Sequence, residues 1–203
     1  MPRTQSKKCQ SNDLDARKGL RAVLVSFTVL AATTAAQAAI FLLTGSVALL
    51  TDLIHNAGDA LTAVPLGISF VLPSRRASRV AELLVLGAII VSAAVAGVEA
   101  MRRLTIARAP DRLLVLAAGG VIGAIGNWIA AQVRTRTGRA IGNAALMADG
   151  DHALIDAFVS LAVVASALLV YLGFPIADPL IGLASVVVIV LITIRAWRTI
   201  QSG

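Results

Sequence analysis

The chain has 203 residues, of which 58% are hydrophobic, 14% charged and 4% aromatic, with a formal net charge of +7. Soluble globular chains carry about a quarter charged residues, so this composition excludes an ordinary soluble domain and makes lipid the expected solvent. It also excludes a nucleic-acid binder, because the Lys and Arg residues fall between apolar runs and stacking aromatics are scarce.

In chain order, a polar segment, residues 1–19, comes first and reads as a short mobile cytoplasmic tail. It is too polar, and the apolar run after it too long, for a cleaved secretory signal. Its Cys9 is the only cysteine, so neither an internal disulfide nor a cysteine metal cluster is available. Six apolar runs follow: 22–43, 46–72, 80–101, 113–133, 143–172 and 177–196. Each is at least about 20 residues, enough for a helix to cross a hydrocarbon core of about 30 Å. A spanning helix satisfies its own backbone groups, as lipid requires. The expected fold is therefore an all-α membrane protein with six transmembrane helices over residues 20–200 and a short end at 201–203.

The breaks between runs are Thr44-Gly45, Pro73-Ser74-Arg75-Arg76, Arg102 to Arg112, "RTRTGR" (134–139) and "GFPIADP" (173–179). Lys and Arg concentrate in the tail, at Arg75, Arg76 and Arg79, at Arg134, Arg136 and Arg139, and at Arg195 and Arg198. The positive-inside rule then places both termini in the cytoplasm, although Arg102, Arg103, Arg108 and Arg112 in the middle outer loop run against it. Trp128 and Trp197 toward the inner face, and Tyr171 toward the outer, fit interfacial anchoring.

Polar residues inside these runs carry the chemistry. "ALLTDLIHNAGDAL" (48–61) and "ALMADGDHALIDAF" (145–158) share the pattern A-L-x-x-D-x-x-H-x-x-x-D-A. The chain has 2 histidines, His55 and His152, and they fill the same slot of this pattern. Steps of three, four and seven return to one helix face, so Asp52, His55 and Asp59 share a stripe, as do Asp149, His152 and Asp156. Asp151 lies about 100° from His152 and is peripheral. Counted from the helix starts, each His and the following Asp lie about 14 and 20 Å along the axis, near the bilayer midplane. The second helix descends where the fifth ascends, so the halves form an inverted 3+3 repeat with a midplane site. Asp52 then stands on the outer side of the site and Asp149 on the cytoplasmic side, lining the two alternating entrances.

Two imidazole nitrogens and two carboxylate oxygens make a tetrahedral set suited to zinc. Two aspartates with neutral histidines cancel a dication, and protons replacing the metal would keep the emptied site neutral in low dielectric. Interhelical hydrogen-bond glue is the plainer alternative, but such bonds average only about 0.6 kcal/mol, against about 2.5–3.5 kcal/mol to insert one Asp. Further readings are Pro65 as a hinge in the second helix, Gln37, Asn127 and Gln132 as interhelical hydrogen-bonders, Glu82 and Glu99 as partners of nearby Arg, Asp178 as the N-cap of the sixth helix, and Gly58 and Gly150 as points of close backbone approach.

"GSVALLTDLIHNAGDAL", "EAMRRL", "NAALMADGDHALIDAFVSLAVV" and "GFPIADPLIGLASVVV" together resemble the cation diffusion facilitator family of zinc, cadmium, cobalt and iron transporters. The resemblance implies His55, Asp59, His152 and Asp156 as ligands of the transported metal. It further implies exchange of cytoplasmic divalent metal for protons, no cofactor, no enzymatic activity and a homodimer. A His at the first motif position resembles the zinc-preferring branch. The chain stops where many members continue into a soluble C-terminal domain, so a form lacking that domain is expected. The expected location is a prokaryotic inner membrane. The rival readings are a membrane-embedded metalloenzyme, a sensor and a structural subunit, each binding metal without moving it.

Overall fold

The computed structural model describes residues 3–71, 87, 90–91, 93–102, 104–105 and 110–202. The side chains of residues 3–13 and of several residues near the ends of the second and sixth helices also lie outside the description. Six helices account for nearly all described residues: α1 (Arg3–Thr44), α2 (Val47–Val71), α3 (helical at 93–102), α4 (Leu113–Ile141), α5 (Ala144–Tyr171) and α6 (Ala177–Ser202). No strand occurs among the described residues.

Among the described residues, three stretches, Leu14–Thr44, Leu113–Ile141 and Ala144–Tyr171, are long and apolar enough to cross a membrane, and Ala177–Leu191 is a shorter apolar helix. Their outer surfaces carry large apolar side chains such as Leu42, Leu114 and Phe158, which only lipid or another apolar surface would cover. The protein is thus an all-α membrane protein. The first half of the expected third span, with Glu82 and the Pro73–Arg79 break, lies outside the described residues.

Inside, small residues let the helices approach closely, as expected where lipid supplies no hydrophobic drive between them. Leu30, Ala60, Ala130, Ala131 and Ala153 form one buried cluster. Ala48, Leu49, Leu116, Val163 and Ala167 form a second. Gly150 is a true point of approach: a Cβ there would lie 2.7 Å from Thr135 N and 3.2 Å from Ala131 O. It therefore seats α5 on α4.

Three expectations change. The polar leader is not set apart from the first span, since α1 is helical from Arg3. The "RTRTGR" stretch is not a loop: α4 continues through it to Ile141 and ends on Gly142, whose φ of 66° gives the left-handed C-cap that glycine adopts without strain. Asn143 then caps α5 by accepting from Leu146 N, so the turn between the two helices is only two residues. Finally, Asp178 sits in the first turn of α6 but does not cap it. Its Oδ2 accepts from Val47 N at 2.7 Å, and its Oδ1 accepts from Ser46 Oγ at 2.5 Å and Ser166 Oγ at 3.0 Å. Asp178 thus caps α2 from across the bundle, because the first N–H groups of any helix lack internal acceptors and a buried carboxylate is a strong one. Pro65 does not interrupt α2, which stays helical to Val71.

Candidate metal centre

α2 and α5 present the two HxxxD pairs to each other. His55 Nε2 lies 2.6 Å from Asp156 Oδ1 and 3.5 Å from Asp59 Oδ2. His152 Nε2 lies 3.5 Å from Asp156 Oδ2 and 3.8 Å from Asp59 Oδ1. One ligand atom from each of the four residues falls within 4.8 Å of all the others. A tetrahedron with metal–ligand bonds of about 2.05 Å has edges of about 3.3 Å. The observed separations straddle that value, and closing the widest gap takes a relative shift of about 1.5 Å.

The side chains of His55, Asp59 and Asp156 are nearly inaccessible, at 8%, 9% and 1% exposure, whereas that of His152 keeps 33%. With both imidazoles neutral, the four side chains carry two negative charges. Water cannot screen such a pair of buried carboxylates, so a dication or protons must compensate them. The rings of His55 and His152 meet edge to face with centroids 5.9 Å apart.

Asp52 and Asp149 do not join this group. Asp52, at 2% exposure, accepts from Gln37 Nε2 at 2.5 Å and from Ser160 Oγ at 2.8 Å. Asn56 donates to Gln37 Oε1 at 2.8 Å, and Asn127 donates to Asn56 Oδ1 at 2.6 Å and to Ser160 Oγ at 3.4 Å. These bonds close a ring of five buried side chains from α1, α2, α4 and α5, and every donor chain in it ends on the Asp52 carboxylate. Two negative oxygens accepting from opposite directions explain why one charge can sit there without a cation.

Asp149 instead meets a cation. Arg134 Nη1 lies 2.9 Å from Asp149 Oδ2, and Arg134 Nε donates to Ser26 Oγ at 2.9 Å. Arg134 is 1% exposed, although it stands in a run of basic residues that sequence alone places in a cytoplasmic loop. The continuation of α4 past residue 133 carries it into the bundle. Along α5 the order is Asp149, His152, Asp156 and then Ser160, to which Asp52 is bonded. The two acids therefore flank the His/Asp cluster, separated by about 16 Å of helix. The contacts Asp52–Ser160 and His55–Asp156 also fix α2 antiparallel to α5 at the site.

Gln37 and Asn127 bond between helices as expected, with Asn56 and Ser160 as ring members that sequence reasoning passed over. Their signal was present, since Asn56 adjoins His55 and Ser160 stands one turn after Asp156. Asp151 is exposed, away from the cluster. Glu99 lies 3.7 Å from Arg102. Trp128 and Tyr171 are exposed at 52% and 76%, open to an interface, and the side chain of Trp197 lies outside the description.

Comparison with known proteins places the chain in a family. Residues 23–202 match the cation efflux transmembrane domain. Two relatives, each named "Probable cation efflux system protein" and drawn from two strains of Mycobacterium tuberculosis, are 43% identical to the chain over 193 residues, covering 90% of it. The chain spans 58% of the length of those relatives. With helices of this kind, a buried His/Asp cluster between two of them and this match over nearly its whole length, the chain belongs to the cation efflux family.

Proposed function

We propose that the protein moves divalent metal cations, zinc foremost, out of the cytoplasm as a secondary transporter that exchanges them for protons. His55, Asp59, His152 and Asp156 are its binding site and the metal is its substrate. The observation that carries this reading is the convergence of four nitrogen and carboxylate ligand atoms within 4.8 Å, on the antiparallel helices α2 and α5. The relatives' name, cation efflux system protein, supports the same direction of movement.

The donor set explains the chemistry. Two borderline nitrogen donors and two hard oxygens favour zinc-like ions over calcium or magnesium, which take six or more oxygens. The loaded site is neutral. Releasing the dication leaves two buried carboxylates whose charge protons must take over, and histidine must be deprotonated before metal can bind again. Proton exchange follows from that balance. Four protein donors leave no open position for an activated water, which a metalloenzyme needs.

In this reading the halves of the bundle form an inverted repeat, Asp52 and Asp149 lie on the two approaches, and both termini face the cytoplasm of a prokaryotic cell. Pro65 lets α2 bend during the cycle, its ring removing one helical hydrogen bond. Two copies associate as a dimer. Zinc uptake into proteoliposomes tests the reading, comparing the intact chain with Asp59→Ala and Asp156→Ala, with and without a pH gradient. Uptake is expected to follow the gradient in the intact chain and to fall at least tenfold in either variant. Equal uptake in all three proteins defeats the site, and indifference to the gradient defeats proton exchange.

A further inference from the structure

The repeat that matches the two metal-binding motifs also matches the residues that hold them in place. Gln37 stands 15 residues before Asp52, and Arg134 stands equally far before Asp149. Gln37 donates a hydrogen bond to Asp52, joining α1 to α2 in one half, and Arg134 forms an ion pair with Asp149, joining α4 to α5 in the other. Each also reaches the opposite half at a matching position. Arg134 Nε donates to Ser26 on α1, and Gln37 lies so close to Gly123 on α4, the counterpart of Ser26, that a Cβ there would stand 2.5 Å from its Nε2. Equivalent positions carry equivalent cross-links, with a neutral donor in one half and a cation in the other.

The two cross-links are not equally closed. Asp52 is 2% exposed and locked into the five-membered ring, whereas the Asp149 side chain keeps 20% exposure. Arg134 offers five N–H donors, yet its Nη2 has no hydrogen-bond partner among the described residues. A buried guanidinium with an idle nitrogen is incompletely compensated for its lost hydration, so the pair yields more readily than the ring.

We propose that Gln37–Asp52 and Arg134–Asp149 are two latches flanking the metal site. The Arg134–Asp149 latch opens to pass the divalent cation, Asp149 exchanging its guanidinium partner for the incoming ion. Closed, Arg134 sets a positive charge across that approach and binds α1, α4 and α5 together. Opened, it leaves Asp149 as a carboxylate facing a dication, whose doubled charge outcompetes the guanidinium electrostatically. Arg134 is thus a gating residue outside the ligand set. This inference rests on the transport reading, but its test reads the latch without relying on transport.

The test uses the full chain with Cys9→Ser and a reporter, Ala131→Cys. Ala131 is 2% exposed and lies beside Gly150, one turn from Arg134 toward the site. Alkylation of the reporter by a small methanethiosulfonate is followed in proteoliposomes, and zinc binding by calorimetry. Arg134→Gln, which gives α4 the side chain found at the matching place in α1, is expected to speed labelling at least tenfold while zinc affinity changes less than threefold. Asp149→Asn should speed labelling likewise from the other side of the pair, and its labelling rate decides if Arg134→Gln fails to fold. The exchanged pair, Arg134→Asp with Asp149→Arg, should return labelling toward the slow rate, and Gln37→Leu should leave it within twofold. Unchanged labelling in Arg134→Gln and Asp149→Asn, or equal acceleration by Gln37→Leu, overturns the inference. Fast labelling in the latch variants with no zinc flux in the intact chain would retain the latch and reject the transport reading. Zinc flux in the intact chain with slow labelling throughout would do the reverse.

Discussion

Substituting Gly123 with alanine puts one methyl group against the buried polar ring around Asp52. A Cβ built there stands 2.5 Å from Gln37 Nε2, 2.8 Å from Asp52 Oδ2 and 2.8 Å from Ser160 Oγ. All three atoms belong to the same hydrogen-bonded ring, so none can retreat without stretching a bond to the next. Contact distances between heavy atoms are about 3.5–4.0 Å, and clearing the methyl requires shifts of about 0.7–1 Å in three places. Overpacking of this kind costs about 1–3 kcal/mol. Weakening the two bonds to Asp52 adds about 1 kcal/mol, at about 0.6 each. Replacing a helical glycine by alanine returns about 1 kcal/mol. The expected balance is a loss of about 1–3 kcal/mol. The control is Gly97→Ala on α3, where the Cβ meets only Val186 Cγ1 at 3.5 Å, an ordinary contact. That variant should be unchanged or gain up to about 1 kcal/mol. Unfolding in mixed micelles under a denaturing detergent titration, followed by circular dichroism, measures both. Equal stability of Gly123→Ala and Gly97→Ala would show that the ring has slack, and the account of Asp52 as a rigidly held carboxylate would fail.

Two further outcomes follow from the caps. Asp178→Ala removes the acceptor for Val47 N and for the hydroxyls of Ser46 and Ser166. The hydroxyls can reorient but the amide cannot, so a loss of about 2 kcal/mol is expected in the same unfolding assay. Hydrogen exchange at the first turn of α2 should rise, while the first turn of α6 stays protected; the opposite pattern would mean that Asp178 caps its own helix after all. Asn143→Ala deletes the bond to Leu146 N and should cost about 1 kcal/mol. Asn143→Asp should largely retain that stability, and a cost equal to that of alanine would show that the side-chain oxygen is not the cap.

Much of this protein was legible before any tertiary contact was known. Composition sets the solvent, and the length of the apolar runs sets helices, because lipid accepts little else from an open chain. The duplicated D-x-x-H-x-x-x-D pattern singles out His55, Asp59, His152 and Asp156, since helical periodicity puts each set on one face and charge inside an apolar run has few uses other than function. What periodicity cannot supply is the partner across a helix interface. Arg134 lies in a basic stretch that local composition assigns to a loop, and only the packing of α4 on α5 buries it against Asp149. Asp178 reads as a cap by its place before a helix, yet the helix it caps is α2, more than a hundred residues earlier in the chain. Asp52 and Asp149 are equivalent in the sequence repeat, and the difference between a hydrogen-bond ring and an ion pair comes from which residues of α1 and α4 happen to face them. Local sequence determines which groups lie on a helix face and at what depth; the pairing of those faces, and with it the electrostatics of each acid, is decided by close approach between helices that no short stretch of chain encodes.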